Sequence, residues 1–477
     1  MGSWAGAHVR SKDSTLAAEP RRASDRIRDL GNRLFGSTPS RISITLFFLV
    51  IVLCSLLLML PIASKSGHPP ALSQASFTAT SAVTVTGLTT LTTATQWTFF
   101  GQLVILFGVQ IGGLGTLTMT SLLSMALGRK LGLKTKLFAQ EGLSITSKQG
   151  KLGEVGSLLR VVVLTSASIE AAIAGIVMLR LMTLGESLPE ALWHGVFYGI
   201  SSFNNAGFTP HSDGLVPYGN DWWILLPLCA GVWFGSLGFP VILVIRMFGL
   251  RVRHWNLNAR ITVFGSIALV IGGTLLWGLA EWDNDATIGD ENPVQRILHS
   301  FFASVMTRSG GFNLVDMDQL HPITKLLTDL LMFVGGGSAS TAGGVKITTM
   351  AVIFIAIIAE ARGDQHVIAF HRTIPDTVLR IAISVVMMSA TIVVLGTAVL
   401  MLISQASLDE ILFEVISAYA TCGLSVGLSA ELPASGLYVL SVLMFIGRLG
   451  TITVATGLAL RTRSRLYKYP EERPIIG

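Results

Sequence analysis

Charge is what this chain has least of. Only 13% of its 477 residues are charged and 51% are hydrophobic, whereas about a quarter of a soluble protein is charged. That imbalance excludes the two or three soluble domains the length would otherwise allow. Cysteine is almost missing too. Cys54, Cys229 and Cys422 fit neither a disulfide framework nor the paired spacing of a zinc site, and they read as packing residues. There is no Walker motif, so the chain itself is not expected to hydrolyse ATP. The basic N-terminus, with Arg21, Arg22, Arg26, Arg28 and Arg33, is followed by a long apolar run without a small-residue cleavage site, which argues against a removed signal peptide.

What is present is a series of apolar runs. They cover approximately 42–62, 96–127, 157–183, 221–248, 260–281, 323–361, 376–404 and 435–460, and a bilayer core needs about 20 such residues per helical crossing. Between the members of each pair lies a shorter, more polar stretch, at 72–84, 191–204, 294–307 and 408–420, too short to cross. Basic clusters separate the pairs: Arg129 and Lys130, Arg246 to Arg253, Arg362 and Arg372, and Arg461 to Lys468. If the short stretches crossed, these clusters would alternate sides, against the positive-inside bias. Re-entrant stretches put all of them, and both termini, in the cytoplasm. The net charge of +6 is thereby assigned to membrane topology, and no nucleic-acid partner is expected. The N-terminal tail reads as a segment held near anionic membrane lipid.

The expected fold is therefore an all-α polytopic membrane protein of eight transmembrane spans, with four pseudo-repeated units of helix, re-entrant pore loop and helix around a central pore. The boundaries are 42–128, 152–250, 258–362 and 374–461, with basic cytoplasmic tails at 1–41 and 462–477. The short stretches align on Gly87, Gly207, Gly311 and Gly423. Phe77, Phe197, Phe301 and Phe413 stand ten residues before these glycines, and Ser81, Ser201 and Ser417 six before, with Val305 the exception. A second glycine mark follows in IGGLG, FGSLGF, VGGGSAS and IGRLGTIT. Glycine there permits close approach, a broken helix or ordinary packing in lipid.

A short helix ending in mid-membrane turns its partially negative C-terminus on the centre. The chain must then return in extended form, and its carbonyls survive at that depth only by lining a cavity or binding an ion. The residues beside the four glycines are not carboxylates. Backbone coordination is left, which suits a monovalent cation better than calcium.

At these residues the chain resembles the Trk/Ktr/HKT superfamily of potassium transporters, its KtrB-like branch most closely. TVTGL, SFNNAGFTP, TRSGGFN and ATCGLSVGLS are similar to the family's four filter segments in order, and VGGGSASTAGGVKITT to its intramembrane loop. The resemblance implies a selectivity filter at Val85, Thr86, Gly87, Asn205, Ala206, Gly207, Ser309, Gly310, Gly311, Thr421, Cys422 and Gly423, with K+ at the four glycines. It implies a gate at Gly335, Gly336, Gly337, Ser338, Ala339, Ser340, Thr341, Ala342, Gly343 and Gly344, faced by Arg448. Glycine in all four copies implies potassium selectivity; a sodium or mixed sodium/potassium pathway is the alternative. A homodimer resting on a cytoplasmic nucleotide-binding regulatory ring is also implied, with nucleotide reaching the system only through that partner.

Arg448 stands out without the family, since a buried arginine in a span costs about 2.5 to 3.5 kcal/mol to insert and is functional by default. It either repels the passing cation, by about 2.8 kcal/mol at roughly 6 Å and an effective dielectric near 20, or pins the glycine-rich loop. Lys346 can snorkel, cap that loop or share the barrier. His194 and His299 read as hydrogen-bonded structural residues, and Arg308 as an anchor of the third loop. Ser338 is the one candidate nucleophile for an enzymatic reading, but no span offers a histidine or an aspartate pair to activate it.

Overall fold

In the computed structural model the backbone is described for residues 39–130 and 153–460, and side chains for 44–115 and 160–450. The tails expected to be cytoplasmic, most of 1–41 and all of 462–477, lie outside the described residues. The chain divides into two compact units: Met1–Thr45, of which only the start of the first helix is described, and Leu46–Gly477, to which all that follows belongs.

Among the described residues the architecture is helical, apart from one two-residue antiparallel pair, Ile368–Ala369 with Arg372–Thr373, and two isolated bridges. The expected all-α class agrees with this mostly helical structure, the strand pair lying in the connection before the last pair of long helices. The helices of ten or more residues are α1 (Pro39–Leu58), α2 (Leu72–Thr84), α3 (Phe99–Lys130), α4 (Gly153–Thr183), α5 (Leu188–Phe203), α6 (Trp222–Leu237) and α7 (Phe239–Phe248). They continue with α8 (Leu257–Glu281), α9 (Pro293–Met306), α10 (Pro322–Phe333), α11 (Ile347–Arg362), α12 (Asp376–Ile403), α13 (Leu408–Ala420) and α14 (Ala434–Leu460).

Among the described residues, Arg160–Thr183, Leu257–Glu281 and Asp376–Ile403 are each long and apolar enough to cross a membrane. The most hydrophobic window of each is only 28% buried in the protein. On α12, Met387, Val394 and Leu395 are about 60% or more exposed. A water-soluble fold would not leave so much apolar helix uncovered, whereas lipid covers it at no cost. The apolar run 221–248, counted from the sequence as one span whose glycines permit close approach, a break or ordinary packing, is broken. α6 and α7 meet at 100° about Gly238, whose φ is +83°, and Pro240 behind it cannot continue the preceding helix's hydrogen-bond ladder.

The four short helices, α2, α5, α9 and α13, have half or more of their residues buried. Their starts are set by local chemistry. Asn292 caps α9 by accepting from the Gln295 amide at 3.0 Å, with Pro293 in the first turn. Ser407 and Glu410 form a reciprocal capping box on α13, and Ser187 bonds Glu190 at 2.7 Å ahead of α5. The devices on α9 and α13 satisfy amides that a helix start leaves unpaired, whereas the Ser187–Glu190 bond joins two side chains. Phe77, Phe197 and Phe413 are completely buried. In the third copy the buried ring is Phe302, and Phe301 is only half-buried.

Candidate functional site

The four short helices stop in the same way. Two residues before each of Gly87, Gly207, Gly311 and Gly423 stands a non-glycine residue in the left-handed region: Val85 (φ +56°), Asn205 (+62°), Ser309 (+64°) and Thr421 (+48°). Such residues cost about 1 to 2 kcal/mol each and persist only where their surroundings hold them. They turn the chain off the helix, and the amides of Thr86, Ala206 and Cys422 bond back to the carbonyls of Ser81, Ser201 and Ser417 at 2.8, 2.7 and 2.9 Å. The recurring serine now has a reason. The Ser81 and Ser417 hydroxyls accept from the Gly87 and Gly423 amides at 3.0 and 3.1 Å, and Ser201 donates to the Phe208 carbonyl at 2.8 Å. The third copy, with Val305, holds its turn through the Gly310 and Gly311 amides on the Met306 carbonyl instead.

The glycines close a ring. A β-carbon on Gly87 would run into the Ala206 carbonyl oxygen, and one on Gly207 would come within 2.8 Å of Gly311 Cα and 3.1 Å of the Gly310 oxygen. One on Gly311 would lie 2.6 Å from the Cys422 oxygen, and one on Gly423 would run into the Thr86 oxygen. All four also have positive φ, from +70° to +97°, so glycine is required twice over: for the backbone and for the approach. Polar bonds tie adjacent quarters together. Asn205 Nδ2 donates to the Arg308 carbonyl at 3.4 Å, Ser309 to the Ala420 carbonyl at 3.3 Å, and the Cys422 thiol to the Thr307 carbonyl at 3.4 Å. The buried Arg308 donates to the Ser266 carbonyl and hydroxyl at 3.0 and 3.1 Å, which names the anchor of the third segment. All four glycines border an open vestibule of about 590 Å³, lined by Thr89, Thr90 and other threonines, with Asp213 as its one ionisable side chain.

The second glycine mark serves close approach. β-Carbons on Gly112, Gly235 and Gly447 would strike the last carbonyls of their own short helices, those of Val83, Phe203 and Tyr419. In the third copy this mark opens into a loop between α10 and α11. Its ends are bridged by Gly335 N donating to Val345 O at 2.8 Å. Gly337 N donates to Ser236 O at 2.7 Å, Thr341 N to Gly235 O at 3.2 Å, and Phe239 N to Ala339 O at 3.1 Å. The α6–α7 break thus wraps the loop. The Thr341 hydroxyl reaches Asn205 Oδ1 at 3.0 Å, and Gly343 abuts the Ala420 carbonyl so tightly that a β-carbon would fall 2.8 Å from it. Gly335, Gly336, Gly337, Ser340, Ala342 and Gly344 are buried with it, while Ser338 and Ala339 are partly open.

Arg448, buried on α14, donates to the Thr341 carbonyl and, at 3.3 Å, to the Gly112 carbonyl. Of its two readings, the structure supplies the contact required for pinning the loop. Lys346 bonds the Ala342 carbonyl at 2.6 Å, the contact that capping the loop requires. Ser338 bonds the Thr348 hydroxyl at 2.9 Å.

The sequence reading missed several buried carboxylates. Glu170 on α4 is held by Gln110 and Asn204, the residue that ends α5. Glu414 on α13 accepts from the Ser425 hydroxyl at 2.9 Å and from the Ser429 amide and hydroxyl, strapping the returning strand to its helix. For Glu170 the available signal was a lone acid in the apolar run 157–183; Glu414 shares its stretch with Asp409 and Glu410 and had no such mark. At the opposite end from Arg448, Glu186 bonds His194 and His211. Burial pushes the Glu186 carboxyl up, but hydrogen bonds from His211 and His194 outweigh it and leave it below the usual range; burial pushes His211 down. His299 bonds the Gly219 carbonyl at 2.8 Å.

The profile of the TrkH family, described as "Cation transport protein", matches residues 37–465. The chain belongs to that family. It is 38% identical over 440 residues to Ktr system potassium uptake protein B of Bacillus subtilis, covering 92% of this chain and 97% of the relative. It is 32% identical to the potassium/sodium uptake protein NtpJ of Enterococcus hirae, over 90% and 95% of the two chains. The crystal structure of the potassium transporter TrkH from Vibrio parahaemolyticus superposes with a TM-score of 0.69 at 16% identity, covering 90% of this chain and 86% of that one, which marks a shared TrkH fold.

Proposed function

We propose that this TrkH-family chain takes up potassium across the cytoplasmic membrane through a pore at the centre of its four glycine-bearing segments. The observation that carries the reading is the ring itself. Four extended segments meet so closely that only main chain fits, each entered from a helix end that brings about half a negative charge to the same place. Main-chain oxygens packed around one axis can replace the water shell of a dehydrated monovalent ion.

In this reading Val85 to Gly87, Asn205 to Gly207, Ser309 to Gly311 and Thr421 to Gly423 are the selectivity filter. The vestibule with Asp213 is the outer entrance. Residues 335–344, held by Arg448 and capped by Lys346, are the gate beneath it. The eight spans are α1, α3, α4, α6 with α7, α8, α10 with α11, α12 and α14, grouped in units 42–128, 152–250, 258–362 and 374–461, with the termini cytoplasmic. The name of the Bacillus subtilis relative, a protein of a Ktr system, supports further components; in this reading a homodimer on a nucleotide-binding cytoplasmic ring completes the assembly.

The test is rubidium uptake into proteoliposomes holding the purified chain, with sodium as competitor. Uptake that excess sodium leaves unchanged supports potassium selectivity. A second reading, a mixed sodium/potassium pathway, is favoured by the name of the NtpJ relative, and equal inhibition of rubidium uptake by sodium and by potassium would establish it. No uptake of either ion would overturn both. An enzymatic role for Ser338 has little support: its hydroxyl meets a threonine, not an imidazole or carboxylate.

A further inference from the structure

Away from the ring, three side chains from separate elements converge beside the second filter segment. Glu186 follows α4, His194 lies in the second turn of α5, and His211 sits on the strand that leaves Gly207. Glu186 Oε2 is 2.8 Å from His194 Nδ1, and Glu186 Oε1 is 3.0 Å from His211 Nε2. The two imidazole rings stand 4.3 Å apart, and one ligand atom from each of the three residues can be chosen within 4.8 Å of the others.

We propose that Glu186, His194 and His211 form a binding site for a zinc-class divalent cation on the outer face. Zinc takes imidazole nitrogen and carboxylate oxygen at about 2.0 to 2.2 Å in a tetrahedron, whose edge is then about 3.3 Å. With either carboxylate oxygen as the ligand atom, one separation is already within a few tenths of an ångström of that edge, and the other two have at most about 1.5 Å to close. Two imidazoles with one carboxylate favour Zn2+ over Mg2+ or Ca2+, which want oxygen alone.

The surroundings suit a metal. His211 Nδ1 faces the hydroxyl of the fully buried Tyr198 at 2.8 Å. That is the outer-shell partner that fixes a ligating imidazole and leaves its other nitrogen for the ion. Tyr218 Oη stands 3.3 Å from His211 Nε2, at the tetrahedral edge, so it or a water can take the fourth position. Glu186 and Tyr218 also line an open cleft of about 690 Å³, which gives the ion a way in. On the rim of that cleft Arg180 is occupied with Asp221, at 2.6 Å. A bound ion would tie the strand leaving Gly207 to α5 and to the end of α4.

The proposal is independent of which alkali ion the pore conducts, because its test reads metal binding alone. Full-length protein in detergent, freed of any affinity tag and stripped with chelator, is titrated with Co2+ and then Zn2+. One equivalent of Co2+ giving the intense visible bands of a four-coordinate ion, displaced by Zn2+, is expected. Glu186→Gln and His194→Gln should each weaken Zn2+ binding by more than about 10-fold, the lower end of what even an outer-shell partner contributes, while His68→Gln leaves it unchanged. Only the faint spectrum of hexaaqua Co2+ with the wild-type protein would overturn the site whether or not the variants fold. Equal Zn2+ affinity in wild type and both folded variants would overturn it as well.

Discussion

Replacing Arg448 by glutamine tests the gate most directly. The guanidinium gives the loop one charge-assisted hydrogen bond, to the Thr341 carbonyl, and α3 another, to Gly112. A hydrogen bond to a charged group is worth about 1.5 to 3 kcal/mol. Losing the one to Thr341 would raise the population of the displaced loop by about 10- to 150-fold, at 1.4 kcal/mol per decade. The loop keeps Gly337 N on Ser236 O, Thr341 N on Gly235 O and Lys346 on Ala342 O, so the lower end applies. Removing a positive charge from beside the path acts in the same direction. Rubidium uptake per reconstituted protein should therefore rise about 10-fold in Arg448→Gln, with the rubidium-to-sodium ratio unchanged. Arg448→Lys should fall between, since an ammonium does not reproduce the two-pronged geometry. Uptake at or below the wild-type rate in a folded Arg448→Gln protein would refute the pinning argument. A rise accompanied by lost selectivity would place the residue's action in the filter instead.

Gly311→Ser combines a positive φ of +73° with a β-carbon 2.6 Å from the Cys422 oxygen. It should cost about 2 to 5 kcal/mol in left-handed strain and overpacking, lower the unfolding temperature and weaken discrimination against sodium in competition uptake. Gly423→Ser should do the same through the Thr86 oxygen. Deleting Gly336 to Gly343 leaves the bridged loop ends next to each other, so the protein should assemble, with faster rubidium uptake and nearly wild-type selectivity. Glu414→Gln should lose about 1.5 to 3 kcal/mol of strapping on the returning fourth strand, read as a lower melting temperature that Ser425→Ala reproduces in part.

Where a helix had to stop, the sequence was legible. The stretches 72–84 and 408–420 coincide with α2 and α13, and α5 and α9 begin three and one residues earlier than the polar composition suggests. The four alignment glycines do come together, because the requirement for a missing β-carbon is written directly in the residue type. The loop 335–344 also falls in the gap between α10 and α11. A broken helix was one of the readings open for the FGSLGF glycines, but the sequence did not choose among them, because the run stays apolar through the bend at Gly238 and hydropathy carries no direction. The partners of Arg448, Arg308, Glu170 and Glu414 were not legible either. Each lies across a sequence separation of 11 to more than 300 residues, and pattern reading along one chain does not report such pairings. His194 was expected to be hydrogen-bonded, and it is; that Glu186 and His211 close on it depends on the fold.

The glycine ring also bears on how such a protein can change over evolution. An assembly of identical subunits must accept any substitution several times at once, whereas here each quarter is encoded separately and is free to drift alone. That freedom ends at the ring, where the space for one quarter's missing side chain is filled by the next quarter's carbonyl. Two substitutions there should be strongly non-additive, because the first displaces the very atoms that make the second unfavourable. Adjacent quarters would then have to adapt as pairs, even though their codons lie a hundred residues or more apart.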